Sequence, residues 1–425
     1  MPRLDTEVAT QEPRVPVDQI PWFTESVGGG LVPGGIYLLA GEPGIGKSTL
    51  SLQLLGAVAK QGLRGLYIAT EQSLPDLQSA AVRILGNDRG LPPEVSERVL
   101  VETALDDLEE LPKLFGRRIL APGQEYFGVK FIVVDSIQGR GVSATATKKY
   151  RSLYEFTELS KAHGVVTVLV GHVTKGGQIA GPKDLEHNVD CVMYMRRAFR
   201  LRPFFVPKNR FGPAVINPIV LYMDGKGRLE ESPHKTGQST TAHGYGGVGD
   251  ELAEAQSVVS LPTYGSRPIL NAPFLPSRRI KQLITILSQL KDIDISDLSY
   301  EINCYLPARQ QYRGELDLPI AIALLASYLQ RELPSEVLFV GELDLQAKIR
   351  KPEDRYLGAL ADVVTSGAWG NIRKVILSPS GRDYLISMGM LAEGGRRVVD
   401  VVDLVPCASL SEVLQTLWPD LEGAY

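Results

Sequence analysis

The chain of 425 residues is poor in cysteine and tryptophan and has no long apolar run. Its three cysteines, Cys191, Cys304 and Cys407, lie far apart, each beside apolar residues. That spacing excludes a disulfide framework and a cysteine zinc site, and it reads as reduced core thiols of a cytoplasmic protein. No stretch approaches the roughly 20 uninterrupted apolar residues that span a bilayer, so no membrane association is expected. The opening Met-Pro-Arg-Leu-Asp-Thr-Glu lacks the apolar centre of a secretory signal. An excess of one charge is missing too: 45 basic against 49 acidic residues leave a net charge of −4, which argues against a generic polyanion binder. Locally, though, it is acid that is absent. Between Cys191 and Met223 stand Arg196, Arg197, Arg200, Arg202, Lys208 and Arg210 with no carboxylate among them. Between Gly139 and Arg151 stand Arg140, Lys148, Lys149 and Arg151, again without an acid. Two such windows in an acidic chain favour polyanion contact over a plain solvated face.

What is present is a complete phosphate-binding loop, Gly41-Glu42-Pro43-Gly44-Ile45-Gly46-Lys47-Ser48-Thr49. It follows the apolar strand Ile36-Tyr37-Leu38-Leu39-Ala40 and opens a helix at Lys47. Gly41, Gly44 and Gly46 let the backbone turn tightly, so that its N–H groups converge on an anion. The helix N-terminus adds partial positive charge. Lys47 would reach the β- and γ-phosphates and Ser48 would place its hydroxyl on Mg²⁺. Strand, loop and helix fall where the mechanism needs them, so the expected ligand is ATP with Mg²⁺.

From 36 to about 230, apolar runs alternate with helical patterns. Strands are expected at 36–40, 65–70, 98–102, 131–135, 165–170, 191–195, 203–207 and 216–223, most of them apolar on both faces. This order predicts an α/β fold, a mostly parallel sheet with helices on both faces and an antiparallel extension at its end. Residues 1–20 read as a flexible arm and 21–231 as the nucleotide-binding domain. The Gly-, Ser- and Thr-rich stretch 232–265 reads as a linker. A smaller α+β domain is expected over 266–425, with helices at 276–290 and 316–331 and strands at 337–341 and 373–378.

Four further positions are candidates for the predicted site. Asp135 ends the run Phe131-Ile132-Val133-Val134 and would hold Mg²⁺ through its water shell. Glu71, at the carboxyl end of the 65–70 strand, would orient the attacking water, unless it merely caps the following helix. Gln72 is the second candidate for that role. His172, after the 165–170 strand, is either a sensor of the γ-phosphate or a structural histidine. The Gly-rich stretch 174–184 behind it carries Lys175 and Lys183 and suits a polyanion-contacting segment.

Trp22, Gly28-Gly29-Gly30-Leu31-Val32-Pro33-Gly34, the phosphate loop, Gly171-His172-Val173-Thr174-Lys175 and Ala180-Gly181-Pro182 together resemble the bacterial RadA (Sms) DNA-repair family. So do Leu185-Glu186-His187-Asn188-Val189-Asp190 and, as the most specific marker, Lys208-Asn209-Arg210-Phe211-Gly212. The resemblance implies a RecA-like core, a homohexameric ring on single-stranded DNA, and an ATP-driven motor of branch migration in recombination and repair. It also implies that Lys208 and Arg210 act across a subunit boundary, beside the neighbour's nucleotide and the DNA. Lys148, Lys149, Arg151, Lys175, Lys183, Lys208 and Arg210 are then the expected DNA contacts, with a recombinase or replicative helicase as further partner. Lys208 and Arg210 have little use in a monomer on this reading, so a ring is expected. Two departures stand out. No cysteine precedes Cys191, so the family's four-cysteine zinc module is not expected and no zinc is foreseen. Gln72 stands where the family usually has a second acid. The alternative is a regulatory ATPase ring of the KaiC type that binds proteins and not DNA.

Over 266–425 the resemblance is to a Lon-protease-like domain, through Gly314-Glu315-Leu316-Asp317-Leu318-Pro319 and Gly341-Glu342-Leu343-Asp344-Leu345. A Lon-type peptidase needs a serine nucleophile before the first helix and a lysine base after the Gly-Glu strand. Residues 314–319 contain no serine, and Tyr356 stands where the lysine should be. The domain is therefore expected to be proteolytically inactive and to serve assembly. Arg309, Arg313, Lys348, Arg350 and Lys351 either line a DNA path there or are solvated charges.

Overall fold

The apolar runs of the first half form strands buried on both faces, because their alternate residues supply two separate cores. Tyr37, Leu39, Tyr67, Phe131, Val133 and Val168 pack on one side with Leu50, Leu54 and Val58 of the helix Lys47–Lys60. Ile36, Leu38, Leu66, Ile68, Ile132 and Val134 pack on the other with Leu153 and Phe156 of the helix Ala146–Ala162. A strand apolar at every position has no solvent face, so it needs a helix layer on each side. The computed structural model describes residues 13–105, 107–138, 146–173, 184–198, 201–232, 237–266, 269–273, 275–290, 293, 295, 301–305, 312–389 and 397–421.

The chain divides into two compact units, Met1–Pro233 and His234–Tyr425. The first holds β1 (Ile36–Gly41), β2 (Arg64–Ala69), β3 (Val99–Glu102), β4 (Val129–Asp135), β5 (Val166–His172), β6 (Cys191–Met195), β7 (Leu201–Asn209), β8 (Val215–Met223) and β9 (Leu229–Glu231). Their order is β3-β2-β4-β5-β1-β6-β7-β8-β9. The first six of these are parallel, and β7, β8 and β9 add antiparallel, as the strand pattern predicts. The carboxyl ends of β1, β2, β4 and β5 therefore open on one edge, where ligands collect in open α/β sheets.

The second unit corrects the linker expected at 232–265. Ser239–Tyr245 and Leu252–Ser260 are two full strands, β10 and β11, paired antiparallel in the middle of a seven-stranded sheet. They are joined there by β12 (Leu270–Asn271), β13 (Glu301–Tyr305), β14 (Val337–Phe339), β17 (Lys374–Leu377) and β18 (Asp403–Pro406), and β15 (Glu342–Leu343) pairs with β16 (Ile349–Arg350). Small side chains concealed the two strands. Thr240, Ala242 and Gly244 of β10, and Ala253, Ala255 and Ser257 of β11, alternate as buried positions without being strongly apolar. They let the helix Asp317–Leu329 lie close: Thr240 Oγ1 donates to the Ala323 carbonyl at 2.6 Å and Val259 N donates to Ser327 Oγ at 2.9 Å. A Cβ on Gly244 would stand 2.8 Å from Pro319. Among the described residues, no helix is long and apolar enough to cross a membrane.

Candidate nucleotide site

The phosphate loop leaves β1 and enters the helix Lys47–Lys60 through Gly46, whose φ of 114° only glycine adopts readily. Gly41 is required for a different reason: a Cβ there would meet the Met195 carbonyl of β6 at 2.7 Å. Ile45 is buried and anchors the loop in the core, while Pro43 and Gly44 before it are exposed. Lys47 is folded back, its Nζ donating to the carbonyls of Gly41 at 2.9 Å and Glu42 at 2.8 Å, with His172 Nδ1 at 3.3 Å. Burial holds its ammonium below the usual lysine range, and the charges of Asp135, Glu71 and Glu42 oppose that shift. It is thus a cation with neutral partners, and a phosphate would serve it better than the carbonyls do.

Asp135 lies at the end of β4, beside the first turn of that helix. Its Oδ2 accepts from Ser48 Oγ at 2.6 Å and from the phenol of Tyr67. Ser48 and Asp135, a hydroxyl and a carboxylate side by side, are the hard oxygen donors a Mg²⁺–nucleotide site uses, so the expected metal pair fits. Among the described residues, no group of three or more His, Cys, Asp or Glu could hold a metal by itself. Tyr67 is the member that sequence reading missed. Burial, then the adjacent Asp135 charge, drives its phenol well above the usual range, so it remains a donor at any ordinary pH. Its signal was an aromatic hydroxyl on β2, two residues before the strand end.

Glu71 does not cap the next helix; Ser73 does, its Oγ accepting from Asp76 N at 3.4 Å. Glu71 instead accepts from Ser136 Oγ at 2.6 Å, with its other oxygen 4.0 Å from His172 Nε2. Thr70 clamps the same junction, donating through Oγ1 to the Ser136 carbonyl and accepting from Ser136 N, both at 2.9 Å. The ends of β2, β4 and β5 are thereby tied together, and His172 spans the gap between Lys47 and Glu71. Gln72 is exposed.

Lys208 and Arg210 lie elsewhere. Asp190 Oδ2 accepts from Ile36 N at 3.1 Å at the start of β1, and Asp190 Oδ1 accepts from Arg210 Nη1 at 3.1 Å. Lys208 Nζ donates to the carbonyls of Glu186 at 2.5 Å, Val189 at 2.8 Å and His187 at 3.1 Å. The pair thus sits at the amino edge of the sheet, about one strand length (~17 Å) from its own phosphate loop. The expectation that these side chains have little use within one subunit is corrected: both make contacts inside it, because the helix Asp184–Asn188 ends in unpaired carbonyls that a cation satisfies. Arg14 fastens this edge, donating to the Gly28 and Phe211 carbonyls and so joining the Gly28-Gly29-Gly30 turn to the Arg210-Phe211-Gly212 turn. Arg151 is exposed on the helix Ala146–Ala162, whereas the side chains of Lys148 and Lys149, and all of Lys175 and Lys183, fall outside the described residues.

In the second unit Tyr356 is buried and donates to the Tyr245 carbonyl at 2.8 Å. Asp317, fully buried at the head of the helix Asp317–Leu329, accepts from Arg279, from Tyr312 OH at 2.6 Å and from Leu343 N at 3.1 Å. Of the basic set proposed for a DNA path, Arg313 pairs with Glu315 at 3.5 Å, Arg350 with Asp344 at 2.8 Å and Lys351 with Asp354 at 2.6 Å; Arg309 lies outside the described residues.

Comparison with known proteins gives a match on each unit. Residues 18–214 match the family described as ATPase KaiC, and residues 278–379 match that of subunit ChlI of Mg-chelatase. The DNA repair protein RadA of Campylobacter jejuni is 30% identical over 346 residues, covering 76% of this chain and 72% of its own. That of Salmonella typhimurium is 29% identical over 413 residues, covering 90% and 81%. Among solved structures, a KaiC-like protein of Pyrococcus horikoshii OT3 aligns with a TM-score of 0.44 and 19% identity, covering 52% of this chain and 99% of its own.

Proposed function

The chain belongs to the RadA family of P-loop ATPases, and from that membership we propose that it is a DNA-stimulated ring motor of recombination and repair, binding single-stranded DNA and driving branch migration. One observation carries the reading beyond family membership. The phosphate loop, Asp135 and Glu71 occupy one edge of the sheet, while Lys208 and Arg210 occupy the other. Two cations that cannot reach their own loop can complete a neighbour's, as in a closed ring of identical, head-to-tail subunits. A homohexamer is the assembly we propose.

In that site Ser48 and Asp135 would hold Mg²⁺, which supplies charge neutralisation on the phosphate oxygens. Lys47 leaves the Gly41 and Glu42 carbonyls for the β- and γ-phosphates. Tyr67 keeps Asp135 oriented when the Ser48 hydroxyl turns away from it. Glu71 accepts a proton from the attacking water, and the neighbour's Lys208 and Arg210 offset charge on the transferring group. Arg151, Lys148, Lys149, Lys175 and Lys183 contact the DNA backbone without reading bases, so affinity falls steeply with salt. The second unit serves assembly and not proteolysis: a buried tyrosine bonded to a backbone carbonyl offers no base to a serine. A recombinase or replicative helicase is the expected protein partner.

The match to the KaiC family over residues 18–214 favours one second reading, a regulatory ring that binds proteins. The ATPase rate with and without single-stranded DNA, measured alongside mass by light scattering with ATP, separates the two. Stimulation of a hexamer supports the motor; a ring indifferent to DNA supports the regulator.

A further inference from the structure

The residues that follow β6 reach the phosphate loop from the side. Gly41 of β1 pairs with Met195, the last residue of β6, and two residues later Arg197 Nη2 donates to the Gly44 carbonyl at 3.1 Å. β7 returns antiparallel, with Met195 opposite Phe204 and Ala198 bridged to Leu201. That register sets Arg202 directly across from Arg197. Like charges facing one another across a hairpin destabilise it. Burial, then the Arg197 charge, holds the Arg202 guanidinium below its usual range, and Glu42 of the loop opposes the shift. Neither arginine belongs to the loop, to the metal pair or to the Lys208–Arg210 edge. Two guanidiniums beside residues 42–44 make a place that an anion would relieve.

We propose that Arg197, backed by Arg202, contacts the polyphosphate of the bound nucleotide from within the same subunit. Its exposed side chain rests on the Gly44 carbonyl. With nucleotide, it exchanges that neutral acceptor for an anionic phosphate oxygen, which adds charge–charge attraction and a geometry the guanidinium fork matches. The loop then carries two cations from its own chain, Lys47 from inside and Arg197 from outside, before any neighbour contributes. The inference rests on the ATPase reading and adds a residue to its site.

The test is isothermal titration of MgADP and of a non-hydrolysable MgATP analogue onto the full chain and its Arg197→Ala, Arg197→Gln and Arg197→Lys variants, at low and high salt. Arg197→Ala and Arg197→Gln are expected to weaken both nucleotides about tenfold and to flatten the salt dependence, while Arg197→Lys stays within about threefold of the native chain. Arg197→Gln retains a donor for Gly44 without the charge, so native affinity in that variant would overturn the proposal. So would an Arg197→Lys variant as weak as Arg197→Gln. Melting curves by circular dichroism identify any variant that loses its fold, and the remaining variants then decide. A native chain that binds neither nucleotide would bring down the ATPase reading itself, a result distinct from variants that bind as well as the native chain.

Discussion

Lys47 and Lys208 hold backbone carbonyls in the same way at opposite edges of one sheet, yet their surroundings differ in sign. Lys47 takes the Gly41 and Glu42 carbonyls at the start of a 14-residue helix, where unpaired N–H groups gather. Positive partial charge there makes a cation an uneasy occupant until an anion arrives. Lys208 takes three carbonyls at the end of the helix Asp184–Asn188, where negative partial charge suits it. Burial lowers the ammonium of each; Asp135, Glu71 and Glu42 oppose this at Lys47, while at Lys208 Arg210 reinforces it and Asp190 and Glu186 oppose it. The amino-edge lysine thus has partners in its own subunit, and under the ring we propose it would leave them to work on a neighbour. The loop lysine needs only a local swing. On the proposed reading, nucleotide capture at the loop is independent of assembly and hydrolysis is where assembly enters.

The strongest break in this contrast is Lys47→Ala, expected to remove turnover by more than about 1,000-fold, seen as loss of phosphate release. Glu71→Gln should leave ATP bound but slow hydrolysis by about 1,000-fold; a near-native single-turnover rate would remove Glu71 from its role. Lys208→Ala should cost about 100-fold in the ATPase rate of the assembled protein, with nucleotide affinity unchanged in titration. An affinity loss equal to the rate loss would instead place that lysine in the binding of its own nucleotide. Tyr67→Phe should raise the Mg²⁺ concentration for half-maximal fluorescent-ATP binding by about tenfold, without altering binding in the absence of metal. The smallest effect on turnover belongs to the second unit. Gly244→Ala should destabilise it by about 1–3 kcal/mol in denaturant titration, because the new methyl meets Pro319, while leaving the initial ATPase rate of the folded protein unchanged.

The legibility of this chain followed side-chain size and chain locality. The strands of the first unit were readable because Ile, Val and Leu fill them on both faces, as at Phe131-Ile132-Val133-Val134. β10 and β11 escaped because Thr240, Ala242, Gly244 and Ala255 are buried for being small, and composition cannot separate that from a linker. The phosphate loop was readable because one contiguous stretch supplies both the backbone turn and the lysine. Tyr67 was not, since its meaning lies in Asp135, 68 residues away. Arg197 stood in an acid-free window that suggested polyanion contact, but only the pairing of β6 with β1 aims it at Gly44.

The residues alone determined that the first unit carries a phosphate-loop motif, a carboxylate ending a buried strand and a mostly parallel sheet to hold them, because each of these is a local pattern of glycine, charge and alternation. Only the tertiary structure decided which edge each candidate occupies. Strand order placed Glu71, Asp135 and His172 around Lys47, and strand direction put Lys208 and Arg210 a full strand away. Sequence spacing carries no information about which ends of separate strands meet. That is set by the packing of two cores against the sheet, and here it separates Lys47 and Asp135 from Lys208 and Arg210 by the length of a strand.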